Sequence, residues 1–328
     1  MRCRSSLPDG TLFATTALAL AALIGADAAA QTSGGAQCAS RSPAAAEAVK
    51  RRTSVALYYE LKLARLGGRV YEWRANDAPR LVMNDAAHVA VDAGHGYAID
   101  AANRVLRWDA GSGKTEPMLG DAAFLAAGDT GMLAIRCDGS LWQRKADARN
   151  WQRIADAAIH AWVGDSSDYY VDPQGRLYAT GEAHRGQYGN GRLDDAGGWV
   201  AVAEDVSAVY AHTGHAVHLR RDGTVLGTGG NRFGPLGAHG YGDKAARWGV
   251  IFEGAVQLAT GSRHTMAIRP DGSLWSWGST DGLQPKRVLA DAVAVAGGEH
   301  ETLAITSNGS LWSWRVGGSP KKVQLPAQ

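Results

Sequence analysis

Long apolar runs and an excess of charge of one sign are both missing from this chain of 328 residues. Only residues 12–25, LFATTALALAALIG, form an apolar stretch, and its 14 residues fall short of the roughly 20 that a membrane-spanning helix needs. Lysine plus arginine number 34 against 32 aspartate plus glutamate, so the net charge is only +2. A protein that neutralises nucleic-acid phosphates needs a concentrated basic surface, and the basic runs here are short. The composition therefore argues against a membrane-spanning protein and against a nucleic-acid partner.

The one apolar stretch predicts an export signal. Arg2 and Arg4 precede it, and Ala28 and Ala30 form a small-x-small cleavage site before Gln31. Residues 1–30 are therefore expected to be a signal peptide, and the mature protein to be periplasmic or extracellular, with no membrane attachment after cleavage.

Cysteine is scarce as well, since only Cys3, Cys38 and Cys137 occur and the first lies in the signal. An oxidising compartment permits a bridge between Cys38 and Cys137, which would tie residues 31–52 to the remainder of the chain. The spacing leaves the bridged and the reduced states equally open. Residues 31–52 are predicted to be partly helical, starting after Ser42-Pro43, or disordered.

Glycine, by contrast, is abundant, with 42 residues, and many of them mark a repeated turn. A turn residue, then a small or basic residue, then an apolar one recurs seven times at spacings of 35, 36, 36, 48, 49 and 37 residues. The turn residues are Gly68, Asn103, Gly139, Gly175, Gly223, Gly272 and Gly309. A period in this range, built from short strands, predicts a propeller or a solenoid.

Each copy of the repeat reads as four strands, and the clearest copy has apolar segments at 255–261, 264–269, 273–278 and 285–291. The Asp-Gly or Asn-Gly pair between the second and third segments is typical of a tight hairpin with positive φ at glycine. An open array would leave its terminal units with uncovered apolar faces, whereas a ring buries them all. The sequence therefore predicts an all-β fold over residues 53–328, a seven-bladed β-propeller of four-stranded antiparallel blades closed by pairing of the terminal blades.

The two ends of this ring are predicted from less regular sequence. In the first unit, Val55, Leu57, Tyr59, Leu61 and Leu63 alternate with smaller or polar residues, as in a half-buried strand. In the last unit, residues 320–325, PKKVQL, are expected to complete the final blade and to join it to the first.

One segment resembles a known repeat family. In LATGSRHTMAI, residues 258–268, a glycine precedes by three a histidine that leads an apolar strand, and this resembles the signature of the regulator of chromosome condensation repeat family. The glycine-rich stretches 179–195 and 227–243 resemble that family's segment between the third and fourth strands. The resemblance covers residues 53–326 and implies a seven-bladed propeller. The short blades are similar to secreted bacterial members such as the β-lactamase-inhibiting propeller.

The motif histidine of that family is matched in three copies only, by His95, His215 and His264. These histidines fall in different blades, so we interpret them as turn-fixing residues and not as ligands of one metal ion. The turn glycines Gly139, Gly175, Gly223, Gly272 and Gly309 are interpreted as structural in the same way. The third-strand tryptophans, Trp108, Trp142, Trp275 and Trp312, are expected to pack between blades in preference to stacking on carbohydrate.

Partner binding is predicted where the repeat is interrupted. Inserts at 181–198 and 229–249 account for the two long spacings of 48 and 49 residues, and they carry arginine and aromatic side chains suited to a protein surface. The candidate partner-binding residues are Arg185, Tyr188, Arg192, Arg232, Phe233, His239 and Tyr241 in the inserts, with Trp162 and Tyr169 outside the repeat pattern. The alternative that these glycine-rich loops merely cap their blades stays equally open.

Catalysis has little support in the sequence. Asp165 with Asp168, and Glu299 with Glu301 around His300, are acidic pairs at expected turns, which favours solvated carboxylates over an acid/base pair. We therefore expect no catalytic, cofactor or metal site. The chain is predicted to be a monomeric, exported scaffold that binds another protein through the rim carrying its variable loops. The alternatives are an inhibitor of a hydrolase such as a β-lactamase, and a propeller enzyme acting on cell-wall glycan or peptide.

Overall fold

A computed structural model describes residues 53–239 and 243–326. Over this part of the chain, 28 strands form seven four-stranded sheets, and the only other regular element is a short 3-10 turn at Ser279–Asp281. The strands of each sheet are consecutive in sequence and antiparallel. The predicted seven-bladed propeller is confirmed.

The first four blades use strands β1 to β16. These are β1 (Ser54–Tyr58), β2 (Leu61–Leu66), β3 (Arg69–Arg74), β4 (Arg80–Met83), β5 (His88–Val91), β6 (His95–Ile99), β7 (Val105–Asp109), β8 (Glu116–Leu119), β9 (Ala122–Gly128), β10 (Gly131–Arg136), β11 (Leu141–Lys145), β12 (Gln152–Ala155), β13 (His160–Val163), β14 (Ser167–Val171), β15 (Leu177–Gly181) and β16 (Ala196–Ala203).

The last three blades use strands β17 to β28. These are β17 (Val206–His212), β18 (His215–Arg220), β19 (Val225–Gly230), β20 (Lys244–Phe252), β21 (Gln257–Thr260), β22 (Thr265–Ile268), β23 (Leu274–Trp277), β24 (Lys286–Leu289), β25 (Ala292–Gly297), β26 (Glu301–Thr306), β27 (Leu311–Arg315) and β28 (Lys321–Lys322).

The turn between the second and third strands of a blade is built from side-chain hydrogen bonds. In blade 6 the Asp271 carboxylate accepts hydrogen bonds from the Ser273 backbone N–H at 2.9 Å and from its hydroxyl at 2.6 Å, and Trp275 donates to the same hydroxyl at 2.9 Å. The intervening Gly272 has a φ of 76°, which is the left-handed region that such a turn requires. All seven repeated turn residues have positive φ, from 61° at Asn103 to 87° at Gly223.

Cores lie between the blades, where the face of one sheet covers the face of the next. Trp108 of β7 is 1% exposed, packs with residues of blade 1, and donates from its indole to the Glu72 carboxylate of that blade. Trp312 packs in the cluster that joins blades 6 and 7. Trp142 and Trp275 are half-buried and bond to the serine of their own turns.

The ring closes between blade 7 and blade 1 by packing of sheet faces and not by the predicted pairing of the terminal blades, since each of these blades is completed by its own strands. Leu57 and Trp73 of blade 1 share a cluster with Leu303 of blade 7, and Val323 and Leu325 pack against it. The tail residues of PKKVQL therefore contribute to the closing contact, and β28 pairs with β27 as the fourth strand.

A partly buried ion pair crosses the same junction. Lys62 of β2 is 2% exposed, and its ammonium group lies 2.7 Å from the Glu301 carboxylate of β26 and 2.6 Å from the Ala75 carbonyl oxygen. Ser313 also donates to Glu301. The acidic residue predicted to be a solvated turn carboxylate is thus a structural partner of a buried lysine.

The regular alternation predicted for the first unit is interrupted. Tyr59 follows β1 in a turn, with a φ of 49° and 50% of its side chain exposed, and β2 begins at Leu61. Val55 and Leu57 pack in the core between blades 7 and 1, whereas Leu61 and Leu63 pack in the core between blades 1 and 2, so the predicted apolar positions change face across the turn.

Three of the sequence predictions fall outside the described residues: the signal peptide, the helix before residue 52, and Cys38 with its bridge to Cys137. Within residues 53–239 and 243–326, no helix is both long enough and apolar enough to span a bilayer.

Candidate protein-binding rim

Two kinds of connection share one end of the propeller, which we call the loop rim. Antiparallel order places the connections between first and second strands, and between third and fourth strands, at this end of every blade. The opposite end carries the turns between second and third strands, and we call it the turn rim. The longest connections on the loop rim are the first insert, 182–195 between β15 and β16, and the second insert, 231–243 between β19 and β20.

Buried hydrogen bonds hold the first insert in place. Tyr188 is 1% exposed, and its hydroxyl donates to the Gly181 carbonyl at 2.6 Å. Tyr169 donates to the Gln187 carbonyl at 3.1 Å, and Thr228 of the neighbouring blade 5 donates to the Gly186 carbonyl at 2.8 Å. The insert is therefore anchored to two blades.

The described part of the second insert is organised by the buried side chain of Asn231. Its amide nitrogen donates to the carbonyls of Gly237 at 3.2 Å and His239 at 2.9 Å, and its oxygen accepts from the Leu236 N–H at 2.9 Å. The indole of Trp277 in blade 6 donates to the Pro235 carbonyl at 2.9 Å. These bonds present the insert as a preformed surface next to blade 6.

Between the inserts and the shorter connections lies a groove of about 520 Å³, which we call the rim groove. Loops of blades 1, 4, 5, 6 and 7 line it. Its chemically distinctive side chains are Arg185, Arg232, Phe233, Arg263, Asp165 and Glu299.

Phe233 is the exposed aromatic anchor of this groove, with 43% of its side chain accessible. The guanidinium carbon of Arg263 lies 4.3 Å from the Phe233 ring centroid, and that of Arg232 lies 5.8 Å away. Cation–π contacts of this kind orient a guanidinium without using its N–H donors. The guanidinium N–H donors of Arg232 and Arg263 therefore stay available for hydrogen bonds to a partner at the edge of the Phe233 ring.

Arg185 reaches the groove across the backbone of blade 5. A side chain at Gly214 would meet the Arg185 Cδ atom at 2.5 Å, and Gly214 itself has a φ of 83°. The guanidinium donates to the Thr213 carbonyl at a long 3.5 Å. Glycine at position 214 thus makes room for the arginine stem as well as for the turn.

A polar cluster lies where the rim groove meets the central channel. The Asp165 carboxylate accepts hydrogen bonds from the Thr213 hydroxyl at 2.7 Å, from its backbone N–H at 3.2 Å and from the Tyr58 hydroxyl at 3.4 Å. The Tyr58 ring stacks on His212 with centroids 5.9 Å apart. Burial opposes ionisation of Asp165, but the hydrogen bonds and charge of His212 and those from Thr213 lower its pKa to about 2. Burial and the Asp165 charge raise the pKa of Tyr58 far above its usual range, so the phenol stays a donor.

Ser262, His212 and Asp165 lie together in this cluster but not in the order that hydrolysis uses. The Ser262 hydroxyl is 3.3 Å from His212 Nδ1, and the Asp165 carboxylate is 3.4 Å from the same nitrogen. His212 Nε2 is buried and has no hydrogen-bond partner within the described residues. A serine hydrolase needs the serine and the acid on opposite ring nitrogens, so that the ring can pass on a proton while its orientation is held. This arrangement instead fixes three loops of the rim.

The structure separates the predicted partner-binding residues into three groups. Arg185, Arg232 and Phe233 line the rim groove, whereas Arg192 is not among its lining residues and is exposed, with an ion pair to Asp194. Tyr241 lies outside the described residues.

Two of the predicted residues are buried and two are partly buried, which corrects their assignment as surface contacts. Tyr169 and Tyr188 are 0% and 1% exposed, and their hydroxyls anchor the first insert. Trp162 lines the central channel, a cavity of about 140 Å³ bounded by the first strands, and donates to the Ala211 carbonyl at 2.7 Å. His239 is half-buried against Gly249, and its Nε2 lies 3.2 Å from the Arg247 carbonyl oxygen.

Several groove residues were missed by sequence reasoning, chiefly Arg263, Tyr59 and Glu299. All three lie in short connections between first and second strands, which vary from copy to copy but are only a few residues long. Arg263 directly precedes the motif histidine His264, so its position was marked in the sequence. Nothing in a single repeat indicated that these loops would meet the two inserts.

Asp168 is buried, contrary to the prediction of a solvated turn. It lies in β14 with 5% of its surface exposed, and it accepts hydrogen bonds from Thr130 at 2.6 Å and Gln143 at 3.0 Å, both in blade 3. Burial raises its pKa to about 6 against the opposing effect of these bonds. Asp168 therefore links two blades and stands more than 20 residues from its partners in sequence.

The three motif histidines have different roles. His95 fixes its own turn, with Nδ1 at 2.9 Å from the Asp92 carboxylate. His264 is fully buried, and its Nε2 lies 3.0 Å from the Thr302 hydroxyl of blade 7, so it joins two blades as well. Burial lowers the pKa of both His264 and His215 to about 3, which keeps them neutral. Among residues 53–239 and 243–326, no three histidine, cysteine or acidic side chains are grouped to hold a metal ion.

Comparison with known families confirms the resemblance found in the sequence. Residues 255–281, which include β21, β22 and β23, match the family described as Regulator of chromosome condensation (RCC1) repeat. This is the blade whose sequence carries the histidine signature.

Two curated proteins are similar over parts of their length. The chain is 30% identical to the Ultraviolet-B receptor UVR8 of Arabidopsis thaliana over 115 residues, which is 33% of this chain and 26% of that protein. It is 26% identical to the E3 ubiquitin-protein ligase HERC2 of Homo sapiens over 273 residues, which is 66% of this chain and 6% of that protein. The similarity thus spans a quarter of the plant relative and a small part of the human one.

A solved structure shares the architecture. Yeast RCC1 (Prp20), crystallised with Kap60, superimposes with a TM-score of 0.65 at 17% identity, covering 75% of this chain and 78% of that chain. At this identity the likeness shows the fold alone.

Proposed function

We propose that this RCC1-like propeller is an exported scaffold that binds another protein through its loop rim. The partner contacts the rim groove, with Phe233 as the aromatic anchor and the neighbouring arginines as hydrogen-bond donors. Export rests on the sequence pattern of residues 1–30.

The single observation that carries this proposal is the exposed Phe233 in a groove of about 520 Å³. Aromatic and arginine side chains are the residues that most often dominate binding energy at protein interfaces. The first insert and the described part of the second are held by buried hydrogen bonds, so little ordering of these segments would oppose binding. A loop that merely capped its blade would have no need to hold a phenylalanine in solvent.

The relatives are consistent with a binding role. Yeast RCC1, which shares the fold, was crystallised bound to another protein, Kap60. The cluster of Ser262, His212 and Asp165 lacks the arrangement of a hydrolase triad, which favours binding over catalysis at this rim.

We expect the combined substitution Arg232→Ala and Phe233→Ala to abolish capture of the partner. Truncating a buried anchor at an interface costs about 2 kcal/mol or more, which is a loss of roughly thirtyfold in affinity. Affinity-tagged residues 31–328 would be incubated with an exported protein fraction, and the bound proteins would be identified by mass spectrometry against the double variant.

The matched control is Arg221→Ala with Val250→Ala. Both side chains are exposed and lie away from the loop rim, on the turn rim and on the outer strand β20. This variant should capture the same proteins as wild type, and both variants should melt within a few degrees of it. Equal capture by the Arg232/Phe233 variant would show that the binding surface lies outside the groove. Absence of specific capture by wild type would contradict the scaffold function itself.

A further inference from the structure

We infer that the rim groove recognises an acidic polypeptide segment, one that presents carboxylates to Arg185, Arg232 and Arg263 and an apolar side chain to Phe233. This inference rests on the proposed binding function and specifies the chemistry of the partner.

The first step is the convergence of three guanidinium groups from three different loops. Arg185 comes from the first insert, Arg232 from the second, and Arg263 from the connection between β21 and β22, and all line the same groove. Within residues 53–239 and 243–326, none of the three has a carboxylate within 4.0 Å. Their described contacts are a weak bond to the Thr213 carbonyl and the ring of Phe233.

The acidic side chains of the groove do not neutralise these arginines. Asp165 is engaged by Thr213 and Tyr58, and Glu299 lies 3.2 Å from the His300 ring. Asp243 and Lys244 both line the groove, so their opposite charges cancel in its total. The groove is therefore left with a surplus of arginine donors, and arginine binds carboxylates in a bidentate geometry.

Phe233 sets the spacing of the occupant. The guanidinium carbons of Arg263 and Arg232 lie 4.3 Å and 5.8 Å from the ring centroid, so an apolar side chain on the exposed part of the ring would bring its neighbouring carboxylates within reach of both groups. A groove of about 520 Å³ falls within the range of 300–1,000 Å³ that holds a ligand or a short peptide segment.

A peptide fits these walls better than a nucleic acid does. Asp165, Asp243 and Glu299 line the same groove and would repel a continuous phosphate backbone. A peptide carries its charges at separate side chains joined by neutral backbone, so carboxylates meet arginines while the acidic walls face uncharged atoms.

The experiment is fluorescence anisotropy of residues 31–328 with three labelled probes. The first is a ten-residue peptide of repeated Glu-Glu-Phe-Glu-Glu, the second has glutamine in place of every glutamate, and the third is a ten-nucleotide oligothymidylate. We expect the glutamate peptide to bind, and to bind about tenfold more weakly when its charges are removed or when salt is raised to about 0.5 M. The oligothymidylate should bind more weakly than the glutamate peptide.

The variant Arg232→Gln with Arg263→Gln should lose about tenfold in affinity for the glutamate peptide, because charge-assisted hydrogen bonds contribute more than neutral ones. The control is Arg221→Gln with Arg287→Gln, which makes the same charge change at two exposed sites outside the groove and should bind as wild type does.

Three outcomes would overturn the inference: equal binding of the glutamine peptide, tighter binding of the oligothymidylate, and unchanged binding by the Arg232/Arg263 variant. The proposed function is tested separately. If that variant captures the natural partner as well as wild type does, the scaffold function stands and the acidic-segment inference fails. If wild type captures no protein, the proposed scaffold function is contradicted, whatever the affinities measured for the peptides.

Discussion

At the scale of single residues, the pKa of an acidic side chain in this propeller depends on where it lies relative to the neighbouring blades. Asp165 and Asp168 are three positions apart in sequence, yet hydrogen bonds lower the pKa of the first to about 2 and burial raises that of the second to about 6. The difference arises because His212 and Thr213 of blade 5 stabilise the Asp165 carboxylate at the rim, whereas burial against blade 3 dominates at Asp168.

Asp168 is expected to make stability depend on pH. Its folded pKa of about 6 lies above the ordinary 3.8, so folding takes up a proton between these values. The contribution to the free energy of unfolding is fully present below about pH 4 and is lost as pH rises through about 6. Between pH 4 and pH 7, the free energy of unfolding of wild type should fall by up to about 3 kcal/mol relative to that of Asp168→Asn. Urea unfolding at each pH measures both values.

The control for this titration is Asp271→Asn. Hydrogen bonds from Ser273 lower the pKa of Asp271, so its contribution is present above about pH 4 and is lost as pH falls, which is the opposite sign. Parallel pH profiles for wild type and Asp168→Asn would show that Asp168 does not titrate as its burial requires.

At the scale of the element, each blade depends on the hairpin between its second and third strands. We expect Gly272→Val and Gly309→Val both to lower the free energy of unfolding by more than about 1 kcal/mol, because φ is 76° and 79° at these positions and a β-branched residue resists positive φ. Gly272→Val should cost more, since its Cβ would lie 3.0 Å from the Asp291 Cα, while the space around Gly309 is open. Thermal and urea unfolding measure both.

Gly197→Val serves as the comparison for this pair, because Gly197 lacks positive φ and its Cβ would meet nothing within 4 Å. If all three variants unfold at the same urea concentration, the turn geometry contributes nothing to stability.

At the scale of the whole molecule, stability depends on closing the ring. Deleting residues 319–328 removes β28 and the apolar contacts of Val323 and Leu325 with the cluster between blades 7 and 1. We expect the melting temperature to fall by several degrees or more, since one uncovered blade face exposes a core. Circular dichroism with temperature measures this. Lys321→Ala with Lys322→Ala, which changes only exposed side chains, should melt as wild type does, and an unchanged melting temperature of the deletion would contradict closure at this junction.

The fold was more predictable than the rim groove for a physical reason. Seven repeats of a four-strand pattern share the same local preferences, and the fourth strands 286–289 and 321–322 lie within the segments predicted for them. The groove is assembled from loops that differ in every blade. Arg185, Arg232 and Phe233 were found because long inserts change the repeat spacing, whereas Arg263 and Tyr59 lie in short connections that leave the spacing unchanged. Tyr169 and Tyr188 were misassigned because the sequence pattern does not distinguish an aromatic residue that faces solvent from one that anchors a loop.

The sequence by itself determined the all-β class, the number of blades, the hairpin turns and the position of the two inserts, because these follow from alternation, glycine placement and period. Only the tertiary structure decided which residues meet. Lys62 with Glu301, Asp168 with Thr130, and Phe233 with Arg263 are pairs from different loops or blades, and no local preference encodes them. Contacts across a ring depend on how neighbouring sheets stack and how far a loop folds back over its neighbour, and those distances exist only once the ring has closed.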